Sequence, residues 1–147
     1  MKLTHVDAQG KAKMVDISSK PIQLREAVAR GSIRLKPATI RLIRSNRIAK
    51  GDVLNTARVA GIQAAKRTGE LIPLCHPLSL SHADVDLTLK RGRIEITAKA
   101  RIAAQTGVEM EVLTAVAVAA LTIYDMCKAV DKEMVIGEIE LVSKTKR

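Results

Sequence analysis

Residues 83–102 have the sequence ADVDLTLKRGRIEITAKARI, in which apolar and polar residues alternate on both sides of Arg91-Gly92. Alternation with a period of two is typical of a strand with one buried face and one wet face. The Arg-Gly pair marks a turn between two such strands. This stretch therefore predicts an antiparallel hairpin that lays one face on a core.

The elements before the hairpin are a basic strand and two helices. A looser alternation over residues 25–36 predicts a strand that ends before Pro37. Apolar spacing predicts a short helix over residues 38–45, and a longer one that begins at an Asp52 N-cap and runs to about residue 68, with Gly69 as its C-cap. The inner face of the longer helix carries small residues that predict close packing on another backbone: Ala57, Ala60, Gly61, Ala64 and Ala65.

The elements after the hairpin are an apolar helix and a last strand. Residues 107 to about 130 are apolar on nearly every side, as expected of a helix buried in a core or in an oligomer interface. Lys128 suits the C-terminal end of that helix, because cations are favoured there. Residues 135–142 alternate again and predict the last strand.

This order of elements predicts an α+β fold. It is the β-α-β-β-α-β order of a ferredoxin-like sandwich, an antiparallel sheet with its helices on one face. The length of 147 residues fits one domain, so we treat residues 1–147 as a single unit. Residues 1–20 show no periodic pattern and are expected to form an irregular head that is free to be mobile.

The amino-acid composition indicates which kinds of binding partner to expect. The formal net charge is +10, which favours polyanions such as nucleic acid, anionic membrane or a phosphate-rich small molecule. One Tyr and no Phe or Trp argue against a platform for stacking bases. The first residues lack the apolar run of a signal peptide, so we expect a cytoplasmic protein whose two cysteines, Cys75 and Cys127, are buried thiols.

The first candidate site is the segment from Pro73 to Pro77, in which two prolines bracket Cys75 and His76. Prolines restrict the backbone and thus the direction of the imidazole, which suits phosphate binding or proton transfer. A histidine satisfied within a turn explains the pattern equally well. A zinc site built from Cys75, His76, His82 and Cys127 is a third alternative, although no ligand spacing supports it.

The second candidate site comprises the charged residues of the apolar helix. Carboxylates here are costly to bury unpaired and should meet a cation, a ligand or a cleft. Asp125 and Lys128 are three apart, which fits an intrahelical ion pair or an acid/base pair. Glu111 and Asp125 point nearly the same way but lie roughly 21 Å apart along the axis. Two such helices packed antiparallel would bring Glu111 of one chain to Asp125 of the other.

The third candidate site is the start of the second helix. Free backbone amides beside Lys50 favour an anion there, and Lys20, Arg25 and Lys66 can add phosphate contacts, although each also fits a solvated surface charge. The chain lacks a Walker A motif, G-x-G-x-x-G and G-x-S-x-G, which argues against P-loop enzymes, dinucleotide enzymes and α/β-hydrolases.

Several segments together resemble one family, the cyclic pyranopterin monophosphate synthases, which are the protein C family of molybdenum cofactor (molybdopterin) biosynthesis. The similarity extends from about residue 3 to residue 144, and its longest motifs are LIPLCHPL, TGVEMEVLTA and ALTIYDMCKAV. The segments that carry it are residues 14–16, 50–53, 57–68, 71–78, 106–111 and 119–130.

The resemblance implies a lyase. Its substrate is 3',8-cyclo-7,8-dihydroguanosine 5'-triphosphate, made from GTP by a radical SAM partner enzyme, and its products are cyclic pyranopterin monophosphate and pyrophosphate. The resemblance also implies a hexamer of three dimers with sites between two chains, no redox cofactor and no metal site, although Mg²⁺ can accompany the triphosphate. A non-catalytic basic module for nucleic acid and an inert pathway scaffold are the alternatives.

The resemblance also implies residue roles. Asp125, Lys128 and Lys50 match catalytic positions. Residues that match substrate-binding positions are Leu74, Cys75, His76, Met110, Glu111, Glu109, Arg25, Lys20, Lys66 and Lys144. Many family members continue past the last strand with a glycine-rich tail, whereas this sequence ends at Arg147, so we expect a difference in how the site is covered.

Overall fold

The computed structural model describes all residues from Met1 to Arg147. The chain forms four strands and four helices. In order they are β1 (Gln23–Arg34), α1 (Pro37–Arg44), α2 (Val53–Lys66), α3 (Thr68–Leu71), β2 (His82–Leu89), β3 (Arg93–Ala104), α4 (Glu109–Cys127) and β4 (Val135–Lys146).

The strands form one sheet in the order β2-β3-β1-β4, with antiparallel pairing throughout. The helices α2 and α4 pack on each other and on the sheet. This confirms the ferredoxin-like α+β sandwich. The hairpin is confirmed as well, because β2 and β3 pair with Val85 opposite Ala98. The alternating residues of β3, from Ile94 to Ile102, are buried against the helices.

The predicted C-cap of the second helix was wrong. The helix α2 ends at Lys66 with Arg67 as its cap, and Gly69 lies inside the short helix α3. A Cβ atom at Gly69 would lie 2.9 Å from the Cα atom of Pro77. Glycine is thus needed here because the chain returns close to its own Pro77 segment, and not because a helix ends in a left-handed turn.

Other elements also differ from prediction at their ends. The strand β1 begins and ends two residues earlier than predicted, and α4 is shorter at both ends. The strand β4 continues to Lys146, four residues beyond the predicted end. It is an edge strand that is exposed along most of its length, so its last residues pair with β1 without needing apolar side chains.

The small face of α2 packs closely on α4, as predicted. A Cβ atom at Gly61 would lie 3.0 Å from the carbonyl oxygen of Ala115 and 2.9 Å from a methyl group of Val85. The helix α4 is long and apolar enough to cross a membrane by length and composition. Ten of its residues are buried in this fold, which is the behaviour of a core helix.

The head, residues 1–20, contains no helix or strand of regular length. Its first part is a small loop closed by a bridge between Val6 and Ala12. The carboxylate of Asp7 accepts hydrogen bonds from the backbone N–H groups of Gln9 and Lys11, which fixes the turn of that loop. The head is irregular, and its mobility stays a prediction.

Candidate active site

Three charged side chains meet at the C-terminal end of α4. The Nζ atom of Lys50 lies 2.9 Å from Oδ2 of Asp125, and the Nζ atom of Lys128 lies 2.9 Å from Oδ1. Lys50 also donates to the backbone carbonyl of Asp125 at 3.1 Å. We call these residues the Lys-Asp-Lys cluster. All three side chains are about half exposed, so the cluster is open to a ligand.

The local folding of two helices brings this cluster together. Lys50 precedes Gly51, whose positive φ of 108° turns the chain into α2. Asp52 caps that helix by accepting from the N–H group of Asn55 at 3.1 Å. The predicted anion site at this helix start is therefore partly occupied by the protein's own carboxylate, and Lys50 turns towards Asp125 instead.

The two lysines set the charge of the cluster. Hydrogen bonds from Lys128 and then from Lys50 hold the pKa of the Asp125 carboxyl below its usual range. The same carboxylate raises the pKa of the Lys128 ammonium. At neutral pH the cluster thus holds one carboxylate between two ammonium groups, with a net charge of +1. Such a group can bind an anion, because its net charge is positive.

The N-terminal end of α4 borders a cavity of about 560 Å³, which we call the main cavity. Its walls come from the head, from the segment after α3 and from the start of α4. The lining residues are Thr4, His5, Val15, Ile17, Lys20, Ile72, Leu74, Cys75, His76, Leu78, Thr106, Gly107, Glu109, Met110 and Glu111. Seven of the predicted binding residues therefore share one cavity. Its volume is in the range of small-molecule sites.

Glu111 is the most buried acid in the main cavity, with 2% of its surface exposed. Its Oε1 atom faces the Cys75 thiol at 3.8 Å, and its Oε2 atom has no hydrogen-bond partner. Burial raises the pKa of the Glu111 carboxyl. Burial, and then the nearby Glu111, raise the pKa of Cys75 to about 11, so its sulfur stays a thiol at neutral pH. An orphaned carboxyl oxygen at a cavity wall suits a polar ligand.

His76 is held by the head. Its Nε2 atom lies 2.6 Å from the carbonyl oxygen of Val15, which fits an N–H group that donates to that oxygen. The partner lies 61 residues away in the head, so the ring is not satisfied within its own turn as one sequence alternative had it. The ring is fixed at the wall of the main cavity, which agrees with the alternative of a histidine held next to a ligand.

A smaller cavity of about 190 Å³ adjoins the main one and shares Gly107 and Glu109 with it. Arg25 and Lys144 line this second space. The Nζ atom of Lys144 lies 3.1 Å from Oε1 of Glu109. Arg25 donates weakly to the backbone carbonyls of Ala104 and Gln105, at 3.4 and 3.3 Å. Nine predicted binding residues therefore form one continuous region.

Lys66 is the exception among the predicted binding residues. It lies in the last turn of α2, lines neither cavity and forms no ion pair. The Lys-Asp-Lys cluster is also separate from the cavity region, because Asp125 and Glu111 occupy opposite ends of α4. Within one chain, the predicted catalytic residues and the predicted binding residues therefore form two separate groups.

The zinc alternative finds no support in the structure. No group of three or more His, Cys, Asp or Glu side chains is placed to hold a metal ion. Cys127 is buried in the core at the far end of α4, whereas Cys75 contacts Glu111 near its start. Both are free cysteines, as predicted, although Cys75 is only partly buried.

Sequence reasoning missed the contribution of the head to the cavity. The cavity is lined by four head residues that lie in a stretch without periodicity: Thr4, His5, Val15 and Ile17.

A larger hollow, of about 720 Å³, lies on the open sheet face around the Arg30–Glu140 ion pair. It contains no buried acid and no thiol, so it does not compete with the main cavity as a reaction site.

Known proteins are similar to this chain over nearly its whole length. A family model described as the MoaC family matches residues 14–147. The chain belongs to the MoaC family. Relatives from Parvibaculum lavamentivorans, Roseiflexus sp. and Chloroflexus aurantiacus are 55%, 57% and 59% identical to it. The alignments cover 97–98% of this chain and 89–92% of those relatives, each of which is named cyclic pyranopterin monophosphate synthase. The predicted family is confirmed, and nothing supports a nucleic-acid-binding module.

Proposed function

We propose that this protein converts 3',8-cyclo-7,8-dihydroguanosine 5'-triphosphate to cyclic pyranopterin monophosphate and pyrophosphate. The observation that carries this proposal is the near-full-length similarity to proteins named cyclic pyranopterin monophosphate synthase. The conversion is a phosphorus-oxygen lyase reaction of molybdenum cofactor biosynthesis. It opens the purine ring by hydrolysis, recloses it as a pterin and lets a sugar hydroxyl attack the α-phosphate.

The binding region has the charges that such a substrate requires. Lys20 lines the main cavity, and Arg25 and Lys144 line the adjoining one, so cations are available to a triphosphate. The buried Oε2 atom of Glu111 lacks a partner and can meet a polar edge of the purine. Leu74 and Met110 supply apolar wall next to the ring.

The Lys-Asp-Lys cluster supplies the proton transfers. A carboxylate between two ammonium groups offers one base and two acids within hydrogen-bond distance of each other. The lysines also stabilise negative charge as pyrophosphate leaves. We assign Asp125, Lys128 and Lys50 to catalysis on this basis. Proton transfer and phosphate displacement require no redox cofactor, and Mg²⁺ is the ion that we expect with a triphosphate.

The Lys-Asp-Lys cluster and the main cavity are too far apart within one chain to act on one substrate, so a shared site requires a second chain. Glu111 and Asp125 are fourteen residues apart on α4, or roughly 21 Å along its axis. Leu121 and Tyr124 lie on α4 within about one turn of Asp125 and are 58% and 37% exposed, so apolar surface adjoins the cluster. We propose that this surface packs on a second copy, so that the cluster of one chain faces the main cavity of another.

The larger assembly and its setting are also proposals. Three such dimers would give the hexamer that the resemblance implies. The substrate is a strained triphosphate that has to come from GTP, which requires a cyclase of the radical SAM type as the supplying enzyme. Both steps belong in the cytoplasm, where GTP and reduced thiols are available.

The direct test is turnover of the cyclised triphosphate by the purified protein. We expect pyrophosphate release and, after oxidation, pterin fluorescence, with both signals lost in Lys50→Ala and Asp125→Ala. Product formation that survives in both variants would contradict the assignment of the cluster. If the folded native protein forms no product, the proposed reaction is contradicted. A scaffold role in the pathway would then be the remaining alternative.

Sharing of the site is tested by mixing two inactive variants, Glu111→Ala and Asp125→Ala. In a symmetric dimer, half of the randomly mixed pairs are heterodimers, and each of these has one intact site. We therefore expect about a quarter of native activity after subunit exchange. Activity that stays at zero, with exchange shown by mass spectrometry, would place each site within one chain.

A further inference from the structure

The head forms one wall of the main cavity, yet few polar contacts hold it there. Three hydrogen bonds join residues 1–20 to the rest of the chain. His76 bonds to the carbonyl of Val15 at 2.6 Å, and the side chain of Gln105 bonds to two further carbonyls. The head has no helix or strand that pairs with the sheet. Its position is therefore set by these anchors and by the packing of a few side chains.

Gln105 supplies two of the three bonds from a single side-chain amide. Its Nε2 atom lies 3.3 Å from the carbonyl oxygen of Ser18 and 3.1 Å from that of Lys20. An amide NH₂ group has two hydrogens, so both bonds can form at once. Both partners are acceptors, which fixes the NH₂ end of the amide towards the head.

The place of Gln105 in the chain links the head to both cavities. It follows β3 directly and precedes Thr106 and Gly107, which line the main cavity. Its backbone carbonyl also accepts from Arg25 at 3.3 Å, and Arg25 lines the adjoining cavity. A change of the Gln105 side chain leaves that backbone contact in place.

We propose that Gln105 is a positioning residue for substrate binding: it clamps the end of the head so that the Lys20 side chain faces the cavity. This inference rests on the proposed function. Lys20 carries one of the two clamped carbonyls, so loss of the clamp frees the residue that brings a cation to the substrate.

The test uses Gln105→Met, which preserves length and removes both donors. Loss of two neutral hydrogen bonds should speed amide hydrogen exchange over residues 15–20 by about tenfold. The KM for the cyclised triphosphate should rise by about tenfold while kcat stays within about twofold. The matched control is Gln9→Met, because the Gln9 side chain is exposed and makes no hydrogen bond. Gln105→Lys, whose ammonium can donate to both carbonyls, should restore slow exchange.

The possible outcomes test the role of Gln105 and the proposed reaction independently. Unchanged exchange over residues 15–20 in Gln105→Met would overturn the clamp. Faster exchange with unchanged KM would overturn the positioning role. If the native protein does not turn over the cyclised triphosphate, the proposed function fails, and the exchange data still decide whether Gln105 holds the head.

Discussion

Lys50 and Asp125 are 75 positions apart in sequence, and their side chains form an ion pair of 2.9 Å beside the one between Asp125 and Lys128. The contact closes the junction between the start of α2 and the end of α4. It turns an ordinary intrahelical pair, Asp125 with Lys128, into a three-membered cluster. The added lysine gives this end of the helix a second positive charge next to the carboxylate.

Removal of Lys50 should change both the titration of Asp125 and the turnover. In Lys50→Ala the pKa of Asp125 should rise but stay below its usual range, because Lys128, the largest cause of the shift, remains. Turnover should fall by at least about a hundredfold, which is the lower end for loss of a positioned acid or base. Carboxyl NMR titration and pyrophosphate release measure the two effects. Lys90→Ala, in the β2–β3 turn, is the control and should change neither.

Glu111 should make the protein less stable as pH rises. Because burial raises its folded-state pKa, the folded protein binds the proton more tightly than the unfolded chain. Its contribution is thus most favourable below about pH 4.3, the ordinary value for Glu, and declines as pH rises towards the folded-state value. Glu111→Gln cannot ionise, so it lacks this pH-dependent contribution to stability. We expect urea unfolding to show a larger stability advantage of Glu111→Gln over native protein at pH 8 than at pH 4.5. An equal difference at both pH values would contradict the buried-acid interpretation.

Asp131 should have the opposite pH dependence. It is 1% exposed, and its carboxylate accepts hydrogen bonds from the N–H groups of Lys36 and Glu133 and from the hydroxyl of Thr39. Burial opposes the shift, but these bonds together hold its pKa below the usual range. The stability that they provide is present above about pH 3.9 and is lost as pH falls through the folded-state value.

The loss of stability expected on removal of Asp131 follows from the hydrogen-bond donors that its carboxylate accepts from. Asp131→Ala removes the acceptor of a buried hydroxyl and of two backbone N–H groups, so we expect a loss of about 2–4 kcal/mol in the free energy of unfolding at pH 7. The loss should shrink at pH 3. Glu133→Ala is the control, because its ion pair with Lys36 is exposed and 3.8 Å long. A loss below about 0.5 kcal/mol for Asp131→Ala would mean that water replaces the carboxylate.

The local sequence pattern predicted the structural features that depend only on residues close together in the chain. The hairpin, the buried face of β3 and the pairing of Asp125 with Lys128 all follow from periods of two or 3.6 residues. The separation of Glu111 from Asp125 follows from helix rise alone, which predicts that the two side chains do not meet within one chain. These features needed no knowledge of which elements touch.

The features that local sequence pattern could not predict depend on contacts between distant segments. Lys50 meets Asp125 only because α2 packs on α4 through Gly61. The contribution of the head to the main cavity rests on His76 and Gln105, which bond to backbone carbonyls that every residue possesses. Carbonyl acceptors leave no mark in a sequence. Gly69 misled for a related reason, since a glycine used for close approach looks the same as one used as a C-cap.

Gly61→Ala tests the close packing of α2 on α4. The added methyl group would lie 2.9 Å from Val85 and 3.0 Å from the carbonyl of Ala115, so a neighbouring strand or helix has to shift. Overpacking costs about 1–3 kcal/mol, against a gain of up to about 1 kcal/mol in helix propensity. We expect a net loss of about 1 kcal/mol in urea unfolding, together with a weaker Lys50–Asp125 contact and lower turnover. Gly137→Ala is the control, because nothing lies within 4 Å of its added Cβ atom. A stabilised Gly61→Ala with full activity would show that the two helices have room to separate without disturbing the cluster.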